Sequence, residues 1–168
     1  MALFNDIYEE QSKKIYAFLM SLTGNKDEAE ELLQETFYQV FLHINQFEGR
    51  SSLYTWICQI AKNAWYKECK RKSRFDNSVE IIENVNQTTV ISNSPEDILL
   101  NKAKHETIRK CIMNLEEPYR DIIILHIYGE IKLKEIADSY KKSESWAKVT
   151  YFRAKSMIME AMKNEGYM

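Results

Sequence analysis

The sequence predicts an all-α fold: two small helical domains joined by a flexible acidic linker, the C-terminal one a helix-turn-helix. Three observations lead there. The 168 residues include only four Gly and two Pro at 45% hydrophobic content, which suits folded cores built from helices and short turns. Apolar residues recur at helical spacing through most of the chain. Charge is segregated although the net is only −2. Residues 27–35 hold five acids and no base, and 62–74 hold six Lys/Arg against Glu68. Residues 75–100 hold five acids and no base, and 141–155 hold five bases against Glu144. Two basic blocks around an acidic spacer suit two contacts with a polyanion.

Residues 4–22 read as a first helix, with Ile7, Ile15, Phe18, Leu19 and Leu22 on its apolar side. Thr23-Gly24-Asn25 supplies a stop, then an N-cap for a second helix over 26–44. Ala29, Leu32, Leu33, Thr36, Phe37 and Val40 share its inner face. Asp27, Glu31, Gln34 and Tyr38 line the opposite face with Glu35 beside them, and acids in the first turn suit the helix dipole. After the turn Gln46-Phe47-Glu48-Gly49-Arg50, Ser51 or Ser52 caps a third helix running to about residue 72. Ile57, Ile60, Ala61, Ala64 and Trp65 form its core stripe. Trp56, Gln59, Asn63, Tyr66, Lys67 and Lys70 collect on an adjacent face. That face offers a single-stranded base rings to stack on, amides to bond and cations for phosphate. Taken alone, the segment fits an ordinary amphipathic helix with a solvated basic end equally well.

Helical periodicity lapses over 75–95, which divides the chain into domains 1–74 and 96–168, with an extended piece expected around 79–82. Ser94-Pro95-Glu96 restarts helix over 96–114. Glu117-Pro118 opens another helix, 119–128, closed at Gly129. A short helix over 133–140, with Leu133, Ile136 and Ala137 inward, meets the turn Lys141-Lys142-Ser143 and then a last helix over 144–163. Ala147, Tyr151, Ala154, Ile158 and Ala161 are its expected inward stripe. Ser145, Lys148, Val149, Phe152, Arg153 and Ser156 are expected to face outward. Short helix, tight turn and longer helix is the helix-turn-helix plan, whose second helix enters the major groove. Lys148 and Arg153 suit base edges or phosphates, Ser145 suits phosphate, and Phe152 is an apolar group on a wet face. Two competing readings stay open: Phe152 filling a gap in the core, and Trp146 packing under the turn.

Several function classes are disfavoured. Cys58, Cys69 and Cys111 are odd in number and lack CxxC spacing, while His43, His105 and His126 are scattered. No disulfide framework, zinc site or other metal is expected. The acids of 27–35 have no histidine partners for a carboxylate-bridged metal, and no Gly-rich phosphate loop occurs. No catalytic residue and no cofactor is therefore expected. Charges within residues 1–20 argue against a signal peptide and no apolar run reaches membrane-spanning length, so the expected location is the cytoplasm.

Four stretches in order, AEELLQETFYQVF (29–41), FEGRSSLYTWICQIAKNAWYKECKRK (47–72), LEEPYRDIIILHIYGEIKLKEIA (115–137) and SESWAKVTYFRAK (143–155), resemble extracytoplasmic-function (ECF) sigma factors. These are the short, two-domain bacterial transcription initiation factors, and the resemblance covers almost the whole chain. It implies a non-enzymatic subunit that binds core RNA polymerase, at the clamp coiled coil and the flap, together with promoter DNA. Asp27, Glu31, Gln34, Glu35 and Tyr38 would dock on the clamp. Phe47, Arg50, Ser51, Trp56, Gln59, Lys62, Asn63, Tyr66, Lys67 and Lys70 would hold the opened −10 element. Ser145, Trp146, Lys148, Val149, Phe152 and Arg153 would meet the −35 element. The family also implies an anti-sigma factor, often membrane-tethered, as regulator. An acidic linker would thread toward the polymerase active centre or RNA exit path, engaging Asp76, Glu80 and Glu83. Two departures stand out. Lys141 occupies a turn position where the family often has Gly, and Trp146-Ala147-Lys148-Val149-Thr150 replaces the family's Thr-Val-Lys-x-Arg. A stand-alone helix-turn-helix regulator and a helical carboxylate–metal enzyme are the competing classes.

Overall fold

A computed structural model describes residues 2–75 and 95–167. The linker expectations, including those for Asp76, Glu80, Glu83 and the Ser94 cap, lie outside the described residues. The chain divides into two compact units, Met1–Asn86 and Gln87–Met168.

The first unit packs α1 (Ala2–Thr23), α2 (Lys26–His43) and α3 (Leu53–Phe75) against one another, each touching the other two. Its core takes Ile7, Ile15, Phe18, Leu19 and Leu22 from α1, and Ala29, Leu32, Phe37 and Val40 from α2. Ile57, Ala61 and Trp65 come from α3. Removing such side chains from water contributes roughly 1.5–3 kcal/mol each. Local chemistry fixes the ends. Gly24 takes the left-handed φ of 63° past the end of α1, and Asn25 Oδ1 accepts from the Glu28 N–H at 3.1 Å. Ser52, not Ser51, caps α3, its Oγ accepting from the Thr55 N–H at 3.2 Å. Between α2 and α3 a single 3₁₀ turn, Ile44–Gln46, redirects the chain. Lys72 near the end of α3 pairs with Glu28 in the first turn of α2 at 2.9 Å, so these two helices run antiparallel.

In the second unit α7 (Glu144–Asn164) is the central element, packed by α4 (Pro95–Met113), α5 (Tyr119–Ile123) and α6 (Leu133–Ser139). The single helix expected over 119–128 is α-helical only in its first turn. Residues Ile124–Tyr128 widen to π geometry, the Gly129 N–H donating to the Ile124 carbonyl five residues back at 3.1 Å. Gly129 closes this turn as expected, and the reason is space rather than a left-handed φ. Its φ of −86° is ordinary, whereas an added Cβ would lie 2.6 Å from the Leu125 carbonyl oxygen. The left-handed residue is Glu130, at φ 54°. On α7 the inward stripe also differs from expectation: Thr150 and Met162 are buried with Ala147 and Ala154, while Tyr151, Ile158 and Ala161 are only half-buried.

Candidate nucleic-acid interface

The α3 surface is narrower than the sequence pattern suggests. Lys62 is 3% exposed and Tyr66 6%, which removes both from the open aromatic–basic face assigned to them. The physical reason is that α3 packs against two helices, so its buried arc widens to take in Cys58, Lys62 and Tyr66 beside the expected stripe. The Lys62 ammonium lies 5.5 Å from the Tyr66 ring centroid, a cation–π geometry that compensates part of its desolvation. What remains open is a stripe. Trp56, Gln59, Asn63, Lys67, Lys70 and Arg74 fall within about 80° of arc at 100° per residue, and from 56 to 70 the stripe runs roughly 21 Å. Asn63, Lys67, Lys70 and Arg74 are exposed, and Trp56 and Gln59 half-buried. Arg74 belongs with this stripe by its place in the arc, a membership the helical spacing already carries.

The preceding loop leans onto the start of that stripe. The Phe47 N–H donates to the Ile44 carbonyl at 3.2 Å, closing the 3₁₀ turn. The Phe47 ring then meets Trp56 at 5.4 Å between centroids and 50° between planes. Gly49, at φ 72°, makes the bend that brings the loop back. Arg50 is exposed and paired with Glu48; Ser51 is half-buried. An aromatic pair at one end of a row of amides and cations suits an unstacked base followed by its phosphates. Further along, Arg71 holds the Glu68 carboxyl below the usual Glu range through side-chain hydrogen bonds. That acid therefore stays charged and offsets part of the positive end.

On α2, Asp27, Glu31, Gln34, Glu35 and Tyr38 are all exposed, Tyr38 at 57%. This face continues into apolar surface that the sequence reading left out. Phe41 and Leu42, one turn beyond Tyr38, are exposed large hydrophobics. Phe41 meets Phe4 of α1 at 5.3 Å, and Tyr8 meets Phe37 at 4.8 Å. The signal was available as the i, i+3 and i+4 neighbours of Tyr38, masked by their place beside the core residues Phe37 and Val40 at the end of the helix.

The second unit contains the helix-turn-helix. Lys141 takes φ 58°, the left-handed position at which glycine is usual. The two hydrogen bonds around it are those of a Schellman C-cap: Lys142 N–H to the Ala137 carbonyl at 2.9 Å, and Lys141 N–H to the Asp138 carbonyl at 3.2 Å. Ser143 then starts α7, its Oγ accepting from the Trp146 N–H at 3.1 Å. Ser145, Lys148, Val149, Phe152 and Arg153 are exposed, Phe152 at 65%. The core-filling reading of Phe152 is thereby excluded. Trp146 is half-buried and tilted against Tyr140 at 5.8 Å, so the packing reading applies to it rather than a fully outward placement. Lys148 pairs with Glu144 one turn earlier at 3.5 Å.

Among the described residues no group of three or more His, Cys, Asp or Glu is placed to hold a metal ion, and no helix is long and apolar enough to cross a membrane. A three-helix unit with an aromatic–basic stripe, followed in the same chain by a helix-turn-helix, defines an all-α protein of the DNA-binding class. Residues 7–75 match the Sigma-70 region 2 family. The chain is 31% identical over 163 residues to the ECF RNA polymerase sigma factor SigM of Bacillus subtilis, covering 96% of each. It is 28% identical to the RNA polymerase sigma factor YlaC of the same organism, covering 95% of this chain and 90% of YlaC. The fold is similar to the sigma factor RpoE solved in complex with the anti-sigma factor NepR from Bartonella quintana. That likeness has a TM-score of 0.59 at 22% identity, over 97% of this chain and 98% of RpoE. The chain belongs to the ECF RNA polymerase sigma factors.

Proposed function

We propose that this sigma factor carries core RNA polymerase to promoters in which α3 holds the opened −10 strand and α7 reads the −35 element. Residues 1–74 act as the clamp-binding and promoter-melting domain, 75–95 as linker and 96–168 as the −35 reader. Asp27, Glu31, Gln34, Glu35 and Tyr38 dock on the clamp, with Phe41 and Leu42 extending the contact. The observation that carries the reading is the Phe47–Trp56 pair at the head of the open stripe of α3. Opening a duplex forfeits stacking, and a displaced base must be held elsewhere. An aromatic platform returns about 1–3 kcal/mol per base, enough for a few contacts to offset local opening without ATP. Lys67 and Lys70 set affinity and salt dependence through phosphate, which carries no sequence information. Ser145, Lys148, Val149, Phe152 and Arg153 take the base and phosphate contacts of the −35 element.

The fold neighbour RpoE was solved with an anti-sigma factor, and we assign this chain the same kind of regulator, one that covers the docking or DNA faces. The protein acts without catalysing a reaction of its own, and it works in the cytoplasm where polymerase is. Reconstituted transcription tests the assignment. The purified chain added to bare core polymerase gives promoter-specific RNA. A stand-alone helix-turn-helix regulator gives none without another sigma factor, and that result would sink the proposal.

A further inference from the structure

The turn of the helix-turn-helix is anchored by a bond that belongs to neither of its helices. Tyr140, the residue that ends α6, donates its hydroxyl to Asp121 Oδ2 at 2.7 Å. Asp121 is a carboxylate on α5, 3% exposed. The other carboxyl oxygen lies 3.9 Å from Arg120 Nε. The Tyr140 ring also meets Trp146, in the first turn of α7, at 5.8 Å and 45°. One side chain therefore touches α5 and α7 while its backbone closes α6. The next residue is Lys141, held at φ 58° where an L side chain is strained.

A buried carboxylate without its donors is costly, and this one draws Tyr140 toward α5. Trp146 rests on the anchored ring, so the bearing of the first turn of α7 follows from it. Base-edge hydrogen bonds weaken steeply with distance and angle, so a small rotation of α7 is enough to lose them. We propose that Tyr140 is a positioning residue for −35 recognition: anchored on Asp121 and supporting Trp146, it sets the direction in which α7 presents Lys148, Val149 and Phe152. Tyr140 itself touches no DNA. The inference rests on the reading of α7 as the promoter reader.

The test uses holoenzyme reconstituted with the full chain. Wild type first selects its preferred −35 sequence from a randomised promoter library, and transcription is then compared on that promoter and on one with the −35 scrambled. Tyr140→Phe keeps the ring against Trp146 and deletes only the hydroxyl. The expected result is a fall of about tenfold in the ratio between the two promoters, the size of one lost base contact, with core-polymerase binding retained. A residue that merely supports the fold lowers both promoters by one factor, and an unchanged ratio overturns the inference. A second variant, Tyr140→Phe with Asp121→Leu, replaces both partners by apolar groups. Because Asp121 also faces Arg120, this variant is read on the promoter ratio alone: a fall at least as large as that of Tyr140→Phe is expected, and a ratio restored to wild type also overturns the inference. A wild-type holoenzyme that selects no −35 sequence overturns the reading of α7 itself, a failure distinct from an unchanged ratio.

Discussion

The two helices assigned to DNA, α3 and α7, divide their aromatic and charged groups in opposite ways. On α3 the aromatic group is held, Trp56 half-buried against Phe47, and the cations Lys67 and Lys70 stand in water. On α7 the apolar groups Val149 and Phe152 stand in water. Two of its cations lean on their own helix, Lys148 against Glu144 and Lys155 over the Tyr151 ring at 5.5 Å, while Arg153 is exposed. The difference matches two kinds of ligand. A base pulled from the stack needs a fixed platform with phosphate contacts beyond it. A groove in an intact duplex needs a slim helix whose small and apolar side chains reach base edges and thymine methyls. Under the proposed assignment a single chain carries one surface for opened DNA and one for closed DNA, and substitutions should affect them separately.

The largest expected effect concerns a residue that belongs to neither surface. Tyr66→Ala empties a buried site and should destabilise the first unit by about 3–5 kcal/mol, the range for large aromatic truncations. Thermal unfolding reads this, and polymerase binding and promoter opening should fall together. Trp56→Ala should instead lose about 1–3 kcal/mol of base stacking. Permanganate reactivity of the −10 region should drop about tenfold or more while binding to core polymerase persists; loss of both in step would place Trp56 in the core with Tyr66. Phe152→Ala sharpens the contrast from the other side. Affinity for a duplex −35 site should weaken by about 1–2 kcal/mol, the lower part of the range for a base contact. Initiation from a promoter already mismatched open at −10 should show a smaller defect, and equal defects on both templates would erase the division of labour. The smallest effect is a gain. Lys141→Gly relieves the left-handed strain, less the extra entropy glycine loses on folding, for a net stabilisation of up to about 1 kcal/mol. A melting point that falls instead would show that the lysine side chain holds the turn.

What was legible in the sequence follows from how local its cause is. Asn25 and Ser52 cap their helices because a short polar side chain reaches an N–H three residues on, a relation contained in four residues. The left-handed Lys141 was legible only through the resemblance, since the family often has Gly at that position of the turn. The burial of Lys62 and Tyr66 was not legible in the same way. Periodicity locates the centre of a buried stripe, but its width depends on how many helices press on it, and α3 has two. Residues Ile124–Tyr128 look like ordinary helix because π widening leaves the apolar pattern intact. It arises where Gly129 comes close to the Leu125 carbonyl. Between the two readings left open for Trp146 the sequence could not choose, because its surroundings include Tyr140, whose place is set by an acid 19 residues earlier.

The Glu28–Lys72 bridge at 2.9 Å marks where two oppositely charged helices lie side by side, the acidic start of α2 against the basic end of α3. Before any contact is made, such a unit behaves as an electric dipole. Near a polyanion it experiences a torque that turns α3 inward and α2 outward, so a larger share of collisions arrives correctly oriented. In the proposed role the acids would aid the encounter with DNA without touching it. That contribution lies in the association rate, and it fades as added salt shortens the Debye length below the dimensions of the unit.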